Sequence, residues 1–215
     1  NTEHKIKAIV PVHIAGALCN MEKICALAKK YNVKVIEDAA HSFPSPTELG
    51  YAGTIGDIGV FSFYVTKTMT TAEGGMVCTR DANLAKRMTT MRMHGMDRTT
   101  WDRYTSPRAS WEYDIVAPGY KFNLPDILAT IGICQLKKAE DFYEKRVKII
   151  EQYTELYERT ASMFHYFLLE TPQGKSALEY ITSRGISLEK KKKFKLGFAP
   201  IDRKWLKNFL LKKNF

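Results

Sequence analysis

Residues 8–36 read as a strand, a helix and a second strand in close succession, and no other feature constrains the fold as much. Ala8–Val12 and Val33–Ile36 are short apolar runs typical of buried strands. Between them, the apolar side chains from Met21 to Tyr31 recur at helical spacing. Two strands joined by a helix within so few residues pair in parallel through a right-handed crossover. The opening of the chain therefore predicts an α/β fold.

The chain beyond this unit continues the α/β pattern. Val60–Val65 and Met76–Thr79 read as two further strands, and Asp81 suits the N-cap of a following helix. Residues 94–119 lack clear periodicity, and a loop of that length inside a domain is usually functional or mobile. Pro125 suits the first turn of a helix, and a longer helix follows it. We predict a mostly parallel sheet with flanking helices, followed by a short basic helical tail.

The positive charge of the chain is concentrated near its C-terminal end. The formal net charge is +10, but residues 1–170 hold 21 basic and 20 acidic side chains. Residues 171–215 hold 12 basic and 3 acidic side chains, and Thr171–Gly174 interrupts the helical pattern at the junction. We therefore predict a main domain at 1–170 and a basic helical segment at 171–215. This distribution argues against a basic nucleic-acid-binding face on the main domain.

Composition excludes several classes of protein. A hydrophobic content of 45% and an aromatic content of 12% exclude a disordered chain. The longest apolar runs are far shorter than the ~20 residues that span a bilayer, which excludes a membrane protein. The four cysteines form no CxxC pair and no zinc-like spacing with the five histidines, so we predict no metal site. We interpret them as reduced thiols of a cytoplasmic protein, with a disulfide framework as the less favoured alternative.

Two charged side chains follow predicted strands, where ligands bind in open α/β sheets. Asp38 comes two residues after Ile36, and Lys67 comes directly after the strand Val60–Val65. One cofactor uses this pair of groups, because pyridoxal phosphate binds a lysine at its aldehyde and an acid at its pyridinium nitrogen. The spacing alone leaves other interpretations open. A lysine after a strand is commonly a solvated loop residue, and an aspartate there commonly caps a helix or forms a turn.

An ordered series of motifs over roughly residues 5–160 resembles the DegT/StrS group of pyridoxal-phosphate sugar aminotransferases. The motifs that carry the resemblance are Val35–His41, Gly56–Asp57, Phe61–Lys67, Glu73–Gly75, His94–Gly95, Gly119–Asn123 and Gln135–Leu136. The resemblance implies part of the large domain of a fold-type I aminotransferase. It also implies a homodimer that moves an amino group from a donor such as glutamate to a keto sugar on a nucleotide. Gly119–Asn123 is most similar to the motif of enzymes that act at the 4-keto position.

The resemblance assigns a role to five residues. Lys67 matches the lysine that holds the cofactor and moves a proton during the reaction, and Asp38 matches the partner of the pyridinium nitrogen. His41 matches a position near the phenolic oxygen of the cofactor, and Ser62 matches a hydroxyl that binds its phosphate. Lys121 stands where many members have an asparagine that reaches the phosphate from the neighbouring subunit. Sugar dehydratases of this fold replace the lysine with histidine, so Lys67 favours amino transfer.

Structural roles remain open for several of these residues. His41 is also compatible with a partly buried histidine whose hydrogen bonds are satisfied, and Ser62 with a small inward-facing residue. The role of His94 stays open, and Asn123 occupies a position that arginine often holds in the family. Members of the family also have further chain before the point that matches Asn1 and a small C-terminal domain. We therefore expect an incomplete aminotransferase, with an inactive fragment as the alternative.

The basic tail resembles a different protein. Ser176–Ile181, Arg184–Ser187, Phe194–Pro200 and Trp205 are similar to the segment of bacterial DNA primase that joins its zinc module to its polymerase core. The zinc ligands and acidic metal-binding residues of a primase are not in this sequence, so we infer no priming activity. Lys190–Lys193 would contact nucleic acid or form a solvated helix face. A nucleic-acid-binding module at 175–215 is thus the competing hypothesis for function.

Overall fold

The computed structural model describes residues 5–105, 107, 111–202 and 204–212. The chain divides into two units, residues 1–143 and 144–215, which are described separately below. Among the described residues, no helix combines the length and the apolar character that a membrane crossing requires.

A four-stranded sheet organises the first unit. The strands of this unit are β1 (Ala8–Ile9), β2 (Lys34–Asp38), β3 (Pro46–Thr47), β4 (Gly50–Tyr51), β5 (Ile58–Ser62) and β6 (Gly75–Thr79). The sheet has the order β1-β2-β5-β6, and β3 and β4 form a separate antiparallel pair. β2 pairs in parallel with β1 and with β5, whereas β6 is antiparallel to β5. The prediction of a mostly parallel sheet is therefore confirmed.

Helices make up the other regular structure of the described residues. They are α1 (Met21–Tyr31), α2 (Ala82–Met91), α3 (Thr100–Thr105), α4 (Asp126–Leu136), α5 (Ala139–Glu170), α6 (Lys175–Ser183), α7 (Leu188–Lys193) and α8 (Trp205–Lys212). The side chain of Asn20 accepts a hydrogen bond from the N–H of Lys23 at the start of α1, and Asn32 ends the helix in the left-handed conformation. Asp81 caps α2 as the sequence predicts.

Three strands, β1, β2 and β5, differ from their predictions by more than one residue. β1 ends at Ile9 rather than at Val12. β2 continues beyond Ile36 to Asp38, because Pro11 and His13 pair with the backbone of Asp38 on one side and Val60 pairs with it on the other. β5 begins and ends earlier than Val60–Val65. After Ser62 the chain leaves the ladder, so the predicted strand was placed too late.

The two faces of the central sheet differ in character. Val35, Glu37 and Ala39 alternate with their neighbours and are buried on one face. Val35 packs there with Met21 and Ala28 of α1, and Ala39 packs with Phe61. Glu37 therefore lies between two apolar clusters. The opposite face, which carries Asp38, is less buried.

The segment that follows α2 turns back toward it. Residues Met93 and Lys121 form an antiparallel bridge, and the N–H of His94 donates to the carbonyl of Tyr120 at 2.9 Å. The loop predicted at 94–119 contains α3, which begins after Thr99. The Oγ1 of Thr99 accepts from the N–H of Asp102, whose carboxylate accepts from the N–H of Thr99. Residues 106 and 108–110 of this loop lie outside the described residues.

The second unit is helical and includes the tail predicted at 171–215, which carries α6, α7 and α8. Residues that follow α7 pack on the end of α5, because the N–H of Phe198 donates to the carbonyl of Phe164 at 2.9 Å. The ring of Trp205 meets the ring of Phe167 edge-on with a centroid distance of 4.8 Å. Lys191 is buried within this unit and donates to the hydroxyl of Thr182.

Candidate active site

Asp38 and Ser62 end two neighbouring parallel strands. Asp38 pairs with Val60 in the register of β2 and β5, and Ser62 comes two residues after Val60. Paired residues of parallel strands share a face, and so do residues two apart along one strand. Both side chains therefore lie on the less buried face, at the carboxyl edge of the sheet, where α/β proteins bind their ligands.

The carboxylate of Asp38 is held by its own turn. Its Oδ1 accepts a hydrogen bond from the N–H of Ala40 at 3.1 Å. The backbone of Asp38 is fixed on the β1 side, where its N–H donates to Pro11 and its carbonyl accepts from His13. None of the residues that the structure describes donates to Oδ2. The side chain is half-buried and can accept one further hydrogen bond.

His41 follows on the loop after β2. Its Nδ1 accepts a hydrogen bond from the N–H of Ala15 at 3.2 Å, and the side chain is exposed. Because Nδ1 is an acceptor, the proton of the neutral ring lies on Nε2. This Nε2–H has no partner among residues 5–105, 107, 111–202 and 204–212, so it is available to a ligand.

Lys67 lies at the end of a tight turn that follows β5. Its N–H donates to the carbonyl of Tyr64 at 2.9 Å, and the Oγ of Ser62 accepts from the N–H of Tyr64 at 3.3 Å. The side chain of Lys67 is half-buried, yet its amine has no hydrogen-bond or ion-pair partner within the described part of the chain. The hydroxyl proton of Ser62 is likewise free to donate.

The structure places the other candidates on a different segment. Lys121 is exposed, and its Nζ lies 3.7 Å from the sulfur of Met93. Its polar side-chain contact and its backbone bridge are thus both with Met93, in the chain that follows α2. His94 adopts a left-handed backbone conformation with φ 57°, and Asn123 is half-buried. No contact between these three residues and Asp38 or Lys67 appears among the described residues.

A buried pair directly beside Asp38 was not predicted. Glu37 and His13 are 0% and 1% exposed, and Nε2 of His13 lies 3.0 Å from Oε2 of Glu37. The same carboxylate accepts backbone N–H groups from Gly53, Ile55 and Gly56 at 2.6–2.8 Å. Burial of Glu37 could have been predicted, because side chains of a strand alternate between its two faces and Glu37 shares a face with the apolar Val35.

The carboxylate of Glu37 stays ionised in this environment. Burial would raise its pKa, but the hydrogen bonds from Gly56, His13, Gly53 and Ile55 outweigh burial and hold the pKa below its ordinary value. The Nδ1 of His13 accepts from the N–H of Cys19 at 3.2 Å, so the proton of this ring is on Nε2 and points at Glu37. The pair therefore consists of a neutral imidazole and a carboxylate.

The free functions of these side chains match one ligand chemistry. Lys67 offers an amine, Asp38 a carboxylate oxygen, His41 a ring N–H and Ser62 a hydroxyl proton. Pyridoxal phosphate has an aldehyde, a protonated ring nitrogen, a phenolic oxygen and a phosphate, which these four groups complement. The described residues contain no cluster of three or more groups that could hold a metal ion. The donor set therefore fits the cofactor.

The chain is similar to several known proteins. The model of the DegT/DnrJ/EryC1/StrS aminotransferase family matches residues 1–194. The uncharacterised protein MJ1066 of Methanocaldococcus jannaschii is 47% identical over 154 residues, which are 72% of this chain and 40% of that protein. The crystal structure of an aminotransferase from Psychrobacter cryohalolentis is similar with a TM-score of 0.65 and 34% identity, over 74% of this chain and 40% of that one.

A structure solved with the cofactor is also similar. The putative sugar aminotransferase Spr1654 of Streptococcus pneumoniae in its PLP form has a TM-score of 0.60 and 29% identity, over 71% of this chain and 41% of that one. The chain spans about two fifths of the length of the curated relatives it matches.

Proposed function

We propose that this chain, which belongs to the DegT/DnrJ/EryC1/StrS aminotransferase family, forms the cofactor-binding part of a pyridoxal-phosphate-dependent sugar aminotransferase. The substrate is a keto sugar linked to a nucleotide, with the keto group at the 4-position, and the donor is an amino acid such as glutamate. One observation supports this most strongly. The half-buried amine of Lys67 has no partner in the described residues, on a loop after β5 whose neighbouring strand ends at Asp38.

Each side chain has a defined task in this proposal. The cofactor supplies an electron sink for the bonds at the substrate carbon that carries the amino group. Lys67 would hold the cofactor at its aldehyde carbon through Nζ, and its amine would move a proton to and from the substrate carbon. Asp38 accepts a hydrogen bond from the ring nitrogen through Oδ2 and keeps its proton in place. His41 would donate a hydrogen bond from Nε2 to the phenolic oxygen of the cofactor.

The phosphate needs donors of its own. Ser62 donates its hydroxyl proton from the end of β5. Lys121 contacts Met93 and lies on a different segment, which is compatible with a cation that serves the phosphate of a second subunit in a homodimer. We assign the choice of sugar partly to the loop at 94–118, where Trp101 and Trp111 are exposed. The four cysteines are free thiols, which supports a cytoplasmic location.

The test is the visible absorbance of the purified protein after addition of pyridoxal phosphate. We expect a band that depends on Lys67 and is absent from Lys67→Ala. Lys86→Ala, which removes an exposed lysine of α2, is the matched control and should keep the band. A band that is equal in all three proteins would refute the assignment of Lys67. The absence of a band from the unaltered protein would refute cofactor binding by this chain.

A nucleic-acid-binding tail at 175–215, similar to a primase segment, remains the second candidate. Lys190, Lys192 and Lys193 are exposed on α7, which supports it. Lys191 is buried against Thr182 and cannot contribute. Replacement of the three exposed lysines by alanine should then abolish salt-sensitive DNA binding. Binding that persists unchanged, or no binding at low salt, would eliminate this candidate. The proposed segment at 171–215 would then have no assigned function.

A further inference from the structure

The imidazole of His13 joins three parts of the chain in the interior. Its Nε2 donates to Glu37 of β2 at 3.0 Å, and its Nδ1 accepts from the N–H of Cys19 at 3.2 Å. Glu37 in turn accepts three backbone N–H groups from residues 53–56. Every polar atom of the His13 ring is therefore satisfied, and the ring is held on both sides.

The segment that carries His13 contacts both residues assigned to the cofactor ring. We call residues 11–16 the anchored segment. Its Pro11 carbonyl accepts from the N–H of Asp38 at 2.9 Å, and the N–H of His13 donates to the carbonyl of Asp38 at 3.0 Å. Its Ala15 N–H donates to Nδ1 of His41 at 3.2 Å. The position of this segment thus fixes the backbone of Asp38 and the orientation of the His41 ring.

The backbone of the anchored segment is strained at one residue. Ala15 and Gly16 have φ of 53° and 83°, so the short 3₁₀ turn at Ile14–Gly16 contains a left-handed alanine. A left-handed alanine is strained relative to its usual conformations and persists only where other contacts impose it. The side chains of Ile14 and Ala15 are exposed, whereas those of Pro11 and His13 are buried. The hydrogen bonds of the His13 ring therefore help to impose this conformation, together with the bond from Ala15 to His41.

We propose that the buried His13–Glu37 pair is a positioning unit for the cofactor site. It holds the anchored segment against β2 and thereby sets Asp38 and His41 in the geometry that the cofactor ring requires. Neither His13 nor Glu37 touches the cofactor, so both act through other residues. The inference deepens the proposed function and rests on it for the link to the cofactor.

The test compares His13→Leu with Asp57→Asn. Leucine keeps much of the volume of His13 and removes both hydrogen bonds. Asp57 is hydrogen-bonded to Lys34 and to the N–H of Val35 at the opposite end of β2, so Asp57→Asn perturbs the same strand without touching the anchored segment. His13→Gln is the conservative variant, because its amide can still donate to Glu37.

Two measurements separate positioning from a general loss of stability. The first is the ¹⁵N NMR signal of the His41 ring, assigned with His41→Asn, which reports the hydrogen bond to Nδ1 without any cofactor. The second is the dissociation constant for pyridoxal phosphate from the absorbance titration. We expect His13→Leu to move the His41 signals toward those of a free histidine and to weaken cofactor binding roughly tenfold or more. His13→Gln should restore most of both, and Asp57→Asn should change neither.

Unchanged His41 signals and an unchanged dissociation constant in His13→Leu would overturn the proposal, even if the variant melts at a lower temperature. If His13→Leu does not fold, the same two measurements on Glu37→Gln test the proposal. In that variant the side-chain NH₂ group faces a backbone N–H that donates to the carboxylate in the unaltered protein, so a hydrogen bond is lost. If the unaltered protein gives no Lys67-dependent band, the proposed function fails. The His41 signals then still decide whether the pair holds the anchored segment, because they need no cofactor.

Discussion

Nε2 of His13 lies 3.0 Å from Oε2 of Glu37, and both side chains are at most 1% exposed. This carboxylate accepts four hydrogen bonds in total, three of them from backbone N–H groups. Hydrogen bonds from these donors stabilise the ionised form of the buried carboxylate, and protonation of the carboxylate weakens them. The pair therefore makes the stability of the fold depend on pH.

We predict that Glu37 contributes stability at neutral pH that is lost in acid. Burial alone would raise the pKa of Glu37, but its hydrogen bonds lower the pKa in the folded state below the unfolded value. Its contribution is thus fully present above the ordinary glutamate pKa of about 4.3 and is lost as the pH falls through the lower, folded-state pKa. Urea unfolding between pH 7 and pH 3 measures this.

Glu37→Gln should lower the free energy of unfolding at pH 7 by about 3 kcal/mol and reduce its dependence on pH. Glu48→Gln, at an exposed glutamate, should retain the dependence of the unaltered protein. A Glu37→Gln protein with the original pH dependence would contradict the prediction.

Gly53 should tolerate a methyl group less well than Gly185, although both have positive φ (83° and 77°). A Cβ at Gly53 would contact the ring of Phe61 and lie 2.9 Å from the Cβ of Ala39, whereas a Cβ at Gly185 meets nothing within 4 Å. Gly185→Ala should cost only the backbone strain of about 1 kcal/mol. Gly53→Ala should cost about 1–3 kcal/mol more, because the apolar cluster is overpacked. Equal losses in urea denaturation would show that packing at Gly53 does not matter.

Asp38→Asn should weaken binding of pyridoxal phosphate. The variant keeps the acceptor for Ala40 but loses the negative charge that holds a proton on the ring nitrogen. A charge-assisted hydrogen bond contributes about 1.5–3 kcal/mol, so the dissociation constant should rise roughly 10- to 150-fold. Absorbance titration measures it, with Asp57→Asn at the other end of β2 as the control. An affinity equal to that of the control would argue that Asp38 does not contact the ring nitrogen.

Asp81 should stabilise α2 as its N-cap. Its Oδ1 accepts from the N–H groups of Asn83 and Leu84 at 2.8 and 3.2 Å. Asp81→Ala leaves both donors without this acceptor and should cost about 1 kcal/mol of unfolding free energy, while Asp81→Asn should cost much less. Thermal unfolding followed by circular dichroism compares them. The capping role would be excluded if asparagine were as harmful as alanine.

Local structure was the part of the fold most open to prediction from sequence. α1 follows from its apolar spacing and from asparagines at both ends, which act within one turn of the chain. The boundaries of β5 were less accessible. Tyr64 and Val65 have strong strand propensity, yet both are exposed in the turn that leads to Lys67. Gly59 lies inside the strand because its missing side chain lets the backbone of Gly53 approach closely.

The sequence nominated the members of the candidate site, but it did not predict their arrangement. Asp38 and Lys67 could be selected because charged side chains after strands are chemically conspicuous. The partner of Glu37 could not be selected in this way, because His13 is 24 residues away and no local sequence pattern links the two residues. α3 is a further omission, although the spacing of Thr99 and Asp102 is a capping box that the sequence displays.

The amino-acid order alone predicted most of the helices and strands and nominated the side chains that we propose carry the chemistry, because these depend on short-range spacing and residue type. The tertiary structure decided which of those side chains share a face, which hydrogen-bonding functions stay free, and that Glu37 is ionised in the interior. Such properties depend on contacts between segments far apart in the chain. Burial increases the free energy that these contacts contribute, because a polar group removed from water must find its hydrogen bonds within the protein.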